Sequence, residues 1–271
     1  MKASLLPSQI RLKNSYLCVG LDPDVEKLPD GIPKSAQGVL EFCLQIIEKT
    51  LPFTVSYKLN TAFFESLGAE GWKVMEILFM HLQSKDVFAI ADAKRADIGN
   101  TSHQYAKAFF ENMGADAITL SPYMGFDSIQ PFLEFPDKTA ILLALTSNPG
   151  HADFEMQPLA NGRKLYEEVL VRSQTWERKG SLMYVVGATR STEMESVRAL
   201  CPDSFLLVPG VGAQGGDLRE ISEKGMNASV GLLVNASRSI LYASSGSNYA
   251  MAASKAAFDM QQEMERYLRK L

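Results

Sequence analysis

The chain has 271 residues, 46% apolar and 21% charged, a composition that can bury a full core and is unlike that of a disordered chain. Its formal net charge of −4 gives no electrostatic reason to expect nucleic acid or an anionic membrane as partner, so an anionic ligand has to be held by a local site. No apolar run reaches the roughly 18 residues of a membrane span, residues 1–14 hold no signal-peptide core, and Cys18, Cys43 and Cys201 show no CxxC spacing, which together point to a reducing cytoplasm.

Short apolar, β-branched runs at 16–21, 53–59, 87–93, 117–120, 139–145, 182–186, 205–208 and 228–234 read as strands. Several are apolar throughout, the pattern of a parallel strand buried on both faces. Helical patterns fill the gaps. After Pro33, the residues Val39, Phe42, Cys43, Ile46 and Ile47 recur at helical spacing, and Trp72, Met75, Leu78, Phe79 and Leu82 do so between the second and third strands. Thr192 with Glu195 three residues on has capping-box spacing and predicts a helix start there. The segment 249–271, rich in Ala, Met, Gln and Glu, predicts a closing helix. Eight strands alternating with helices, and no linker or composition shift, predict an α/β protein: a single-domain (β/α)8 (TIM) barrel over 1–271. The gap from 148 to about 162, after the fifth strand, has little periodicity and reads as an insertion, either a lid or a surface segment without a role.

In such a barrel the chemistry lies at the C-terminal strand ends. The first strand runs into Asp22, an acceptor for a sugar hydroxyl or a turn aspartate before Pro23. The second ends near Lys58, which alone reads as a solvated strand-end lysine. The third runs into Asp92-Ala93-Lys94-Arg95-Ala96-Asp97. Side chains two apart share a face of a strand, so Asp92 and Lys94 point into one space, with Asp97 just beyond. With Lys58 from the neighbouring strand they predict an alternating row, Lys58, Asp92, Lys94 and Asp97, in which each charge keeps its neighbours ionised. A structural ion pair is the competing reading; the loop and helix-start signal at Ile98-Gly99-Asn100-Thr101 favours a site.

Thr146-Ser147-Asn148 offers hydroxyls and an amide at the fifth strand end, as site or as turn. Gly210-Val211-Gly212-Ala213-Gln214-Gly215 matches GxGxxG, but it lies in the seventh unit and no acidic residue follows at about 20 residues, which disfavours a dinucleotide fold. A phosphate site from the loops after strands seven and eight fits better, with Arg238 supplying a guanidinium. His81, His103 and His151 are scattered without metal-ligand spacing and read as structural or surface residues, so no metal site is expected.

With Asp92-Ala-Lys94-Arg-Ala-Asp97-Ile-Gly-Asn-Thr101 after a barrel strand, the chain resembles the orotidine 5′-phosphate decarboxylase family. Val19-Gly-Leu-Asp22, Thr146-Ser147, Pro209-Gly-Val-Gly212 and Arg238 extend the likeness over nearly the whole chain. Length, the stretch Lys58-Leu-Asn-Thr-Ala-Phe-Phe-Glu and the extra loop after the fifth strand are similar to its longer bacterial branch, type 2. The resemblance implies cofactor-free decarboxylation of orotidine 5′-phosphate to uridine 5′-phosphate, the last step of de novo pyrimidine nucleotide synthesis. It implies Lys94 as the proton donor, with Asp92, Lys58 and Asp97 as its charged partners. It implies ribose contacts from Asp22 and Thr101, a pyrimidine contact from Ser147, and phosphate contacts from Gln214 and Arg238. It also implies a homodimer with shared active sites, in which Asp97 and Thr101 serve the partner's site. Two other readings stand beside it. A magnesium-dependent sugar-phosphate decarboxylase or synthase of the same barrel superfamily normally has an acidic ligand where this chain has Lys58; a catalytically inactive nucleotide-binding barrel is opposed by the intact set of charges.

Overall fold

The structure, a computed structural model, describes residues 1–211 and 215–271. Eight parallel strands, β1 (Leu17–Leu21), β2 (Ser56–Asn60), β3 (Phe88–Arg95), β4 (Ala117–Leu120), β5 (Thr139–Leu145), β6 (Ser181–Val186), β7 (Leu206–Pro209) and β8 (Leu232–Ala236), close into a barrel in chain order. β8 pairs back onto β1 with Cys18 opposite Asn235, and β2 sets Lys58 between Gly20 of β1 and Ile90 of β3. The expected (β/α)8 architecture is therefore observed. β1, β4 and β8 are buried along their whole length, since side chains fill the barrel and helices cover it.

The helices form where their apolar stripes can be buried. The helix Ala36–Thr50 is capped by Ser35, whose hydroxyl accepts from the Gly38 N–H, and buries Val39, Phe42, Cys43, Ile46 and Ile47. The helix Gly68–Ser84 buries Met75, Leu78, Phe79 and Leu82, while Trp72 lies at the rim of that stripe with its ring near Phe109. The closing helix, Tyr249–Leu268, packs on Ala36–Thr50. Three buried tyrosine hydroxyls fasten helices to the barrel: Tyr16 pairs with Ser222, Tyr57 with Thr50 and Tyr184 with Ser173. Each helix hydroxyl also donates to the carbonyl one turn back, which leaves no polar atom of the pair stranded.

Several boundaries differ from the sequence expectation. Pairing in β2 begins at Ser56, because Leu51–Phe53, with Pro52, is a 3₁₀ turn. β8 begins at Leu232, because Asn227 and Val230 close a tight turn with Val230 and Gly231 at φ 70° and 65°. The strand therefore continues to Asn235 and Ala236 at the barrel mouth. The expected capping box is not formed: the helix Ser191–Leu200 has Arg190 at its N-cap without a side-chain cap bond, and the Thr192 hydroxyl donates to Glu193. After β5, the short helix His151–Phe154 and a bridge between Pro158 and Lys164 give structure to a segment with no sequence periodicity. Among the described residues no helix is long and apolar enough to cross a membrane.

Candidate active site

At the C-terminal ends of the strands, one cavity of ≈ 290 Å³ is lined by Asp22, Lys58, Asp92, Lys94, Ser147 and Arg238. Six of the residues singled out from sequence thus converge on one space. Lys58 is only 4% exposed, and its Nζ donates to Asp92 Oδ2 at 2.8 Å. Asp22 Oδ1 lies 3.5 Å from the same ammonium, near enough for charge attraction but without hydrogen-bond geometry. The other oxygen of Asp92, Oδ1, accepts from Lys94 Nζ at 2.6 Å and from the Thr119 hydroxyl at 2.9 Å.

Burial works against the charge on Lys58, but Asp92 and Asp22 more than offset it and hold the ammonium above its ordinary range. For Asp92, burial likewise opposes ionisation; Lys58 and Lys94 outweigh it and hold the carboxyl well below the usual carboxylate range. The carboxylate is thus ionised at neutral pH, and each of its oxygens accepts from a donor. Lys94 differs from Lys58 in that half its side chain is open to solvent, so its ammonium can meet a ligand.

The third strand does not reach this arrangement by simple alternation. Ala91 pairs with Ile118 and Arg95 with Leu120, so Asp92, Ala93 and Lys94 together face the single residue Thr119. In this bulge Lys94 adopts φ 48°, a left-handed conformation that costs a side-chain-bearing residue about 1 kcal/mol. Its N–H donates to Thr119 Oγ1 at 3.0 Å. Arg95 points away from the cavity, paired with Glu65 and lying over the rings of Tyr105 and Phe109.

Ser147 is set by its neighbours. Glu155, from the insertion after β5, accepts from both the N–H and the hydroxyl of Thr146, each at 2.7 Å. Arg190, beyond β6, donates to the carbonyls of Thr146 at 3.2 Å and Ser147 at 3.4 Å, and its Nη2 lies 2.9 Å from His151 Nδ1. Gly187 permits the close passage: a Cβ there would meet Ser147 backbone and Cβ at 2.9–3.0 Å.

One expectation is corrected within the chain. Asp97 is not part of the charged row: it does not line the cavity, and its carboxylate accepts from the Ile98 N–H at 2.8 Å. The second carboxylate beside Lys58 is Asp22, brought there because β1 and β2 are neighbours in the barrel. Thr101, expected to serve the partner's site, is exposed and outside the cavity lining of its own chain. Gln214 lies outside the described residues, but the neck of its loop is described: Gly216 N–H donates to Gly210 O at 3.2 Å, and a Cβ at Gly216 would meet Ala188 Cβ at 2.4 Å. Arg238 is exposed at the start of the short helix Arg238–Leu241, whose Ile240 and Leu241 are buried, beside this neck. Sequence reasoning passed over Thr119, Asn60, Asn235, Glu155 and Arg190. Asn60 and Asn235 also line the cavity, and the buried oxygen Asn235 Oδ1, like Asp22 Oδ1, has no hydrogen-bond partner among the described residues. A ligand hydroxyl would satisfy such acceptors.

A model of the orotidine 5′-phosphate decarboxylase / HUMPS family matches residues 15–253. The chain is 50% identical over 266 residues to the orotidine 5′-phosphate decarboxylase of Flavobacterium johnsoniae, covering 97% of each chain. It is also 50% identical over 274 residues to that of Christiangramia forsetii, covering 100% of each. Among solved structures it is similar to the OMP decarboxylase of Leishmania donovani, with a TM-score of 0.84 at 36% identity, covering 98% of this chain and 100% of that one.

Proposed function

Since the chain belongs to the orotidine 5′-phosphate decarboxylase / HUMPS family, we infer that the cavity at the C-terminal strand ends is where it converts orotidine 5′-phosphate to uridine 5′-phosphate. The chain is a decarboxylase, and the chemistry explains why it needs this set of charges. When the C6 carboxylate leaves as carbon dioxide, the bonding pair stays on C6 in the plane of the ring, orthogonal to the π system, so resonance cannot spread it. A fixed positive charge beside C6 must carry the stabilisation, and in a site closed to water such preorganised charge is worth far more than in bulk. Lys94 supplies it as an ammonium and then passes a proton from Nζ to C6, leaving a neutral amine that solvent reprotonates.

The observation that carries this reading is the pairing of Lys94 Nζ with Asp92 Oδ1 at 2.6 Å while half of the lysine remains open to the cavity. Lys58, buried behind Asp92, keeps that carboxylate ionised and leaves Lys94 as the ammonium that faces the cavity. Asp22 and Asn235 receive ribose hydroxyls, Ser147 meets the pyrimidine edge, and Arg238 with Gln214 holds the phosphate. No cofactor enters the scheme, and the oxygens of Asp92 are already taken by two ammoniums and a hydroxyl. The test is the loss of orotidine 5′-phosphate absorbance with and without exhaustive chelation. Equal rates are expected; activity lost to the chelator and restored by magnesium would overturn the metal-free reading.

The working unit in this reading is a homodimer in which Asp97 and Thr101 complete the partner's site. Supporting it, Ile98, Tyr123, Met124 and Phe154 are large apolar side chains left exposed on the segments that follow β3, β4 and β5, at the same end of the barrel as Asp97. A second copy of this chain would cover them. The three cysteines are free and buried, which suits a reducing cytoplasm and the place assigned to the reaction at the end of de novo pyrimidine synthesis.

A further inference from the structure

We propose that Thr119 is a positioning residue for the decarboxylation, holding Lys94 at both its backbone and its charged end; this rests on the reading of Lys94 as proton donor. Thr119 is 1% exposed and sits opposite the bulge in β3. Its hydroxyl accepts from the Lys94 N–H at 3.0 Å and donates to Asp92 Oδ1 at 2.9 Å. Both partners fix the direction of these bonds. A backbone N–H can only donate and an ionised carboxylate can only accept, so the single hydroxyl proton is committed to Asp92.

The oxygen it reaches is the one that receives the ammonium of Lys94 at 2.6 Å. Thr119, Asp92 and Lys94 therefore form a closed circuit: the Lys94 N–H donates to the hydroxyl, the hydroxyl donates to the carboxylate, and the Lys94 Nζ donates to the same carboxylate oxygen. The circuit explains how a lysine can hold φ 48° next to a substrate cavity. The bulge takes the Lys94 N–H out of the regular ladder to β4, and without the hydroxyl this donor would face an apolar side chain. A strained backbone that is over-determined at both ends presents Nζ in one place, which charge stabilisation in the transition state requires.

Thr119→Val keeps the shape and removes the hydroxyl. The expected result is a fall in kcat of about tenfold to a hundredfold, the size of a lost hydrogen bond to a charged group, with KM within about threefold of wild type. Thr119→Ser should recover kcat to within about threefold. If the valine branch unfolds the bulge, Thr119→Ala carries the same expectation for soluble, folded protein. A purely structural role would lower the melting temperature without splitting kcat from KM. The proposal is overturned if Thr119→Val and wild type agree within about threefold in kcat, or if Val and Ser fall equally. Lys94→Ala separates the two levels of the reading. If that variant is inactive and Thr119→Val is not, the role of Thr119 fails alone; if Lys94→Ala keeps its turnover, the proton-donor assignment fails and this proposal with it.

Discussion

Replacing Lys58 by Met keeps most of the stem that fills the space behind Asp92 and removes only the ammonium. The charge lies 2.8 Å from Asp92 and 3.5 Å from Asp22, separations worth about 6 and about 5 kcal/mol of attraction at the effective dielectric near 20 that suits protein sites. Part of this is offset, because the variant no longer has to desolvate a lysine that is 4% exposed. Removing one partner of a buried ion pair costs about 3–5 kcal/mol net, which for a chain of this size lowers the melting temperature by about 6–20 °C. The pH dependence carries the sign. Asp92 is held below its ordinary range, so its contribution is present above about pH 4 and is lost as pH falls toward its folded value. Lys58 is held above its ordinary range, so its contribution is present below about pH 10 and is lost as pH rises through its folded value. The wild-type minus variant difference in melting temperature should therefore be flat from about pH 5 to 9 and shrink at both ends. Circular dichroism melts across pH 3–11 measure it. A difference under about 3 °C at pH 7, or one that grows below pH 4, would refute the claim that this pair is buried, ionised and stabilising.

Arg238→Ala should weaken uridine 5′-phosphate by at least about tenfold while leaving uridine within about twofold, read by calorimetric titration; equal losses would remove Arg238 from the phosphate site. Lys94→Ala and Asp97→Ala chains, each nearly inactive, should complement when subunits exchange, because the hybrid dimer holds one site with both residues intact. Random equal mixing makes about half the dimers hybrid, so activity should return to roughly a quarter of wild type per site. Exchange demonstrated by mass spectrometry with no recovered activity would mean that each site is built from one chain.

The barrel was legible because strands buried on both faces are written as short apolar runs, and the helices between them as apolar stripes of helical period. The site was legible where charges interrupt those runs: Lys58, Asp92 and Lys94 stand at strand ends that would otherwise be apolar. What was not legible depends on which strands become neighbours and on local backbone geometry. Asp22 joins Lys58 only because β1 pairs with β2, and Asp97, beyond the end of β3, does not reach the cavity of its own chain. Thr119 carries no sequence signal; a β-branched residue in an apolar strand reads as core, and its role follows from the bulge opposite. Glu155 and Arg190 are ordinary surface charges until the fold of the loop after β5 brings both onto Thr146.

The central claim is that Lys94 acts on charge formed in the transition state, and the kinetics of Lys94→Ala test it most directly. The variant should lose kcat for orotidine 5′-phosphate by far more than about tenfold while uridine 5′-phosphate binds within about threefold of wild type, since the product carries no charge at C6. A variant that kept more than about a tenth of wild-type kcat, a loss below about 1.4 kcal/mol in the barrier, would contradict the assignment of Lys94 as the proton donor.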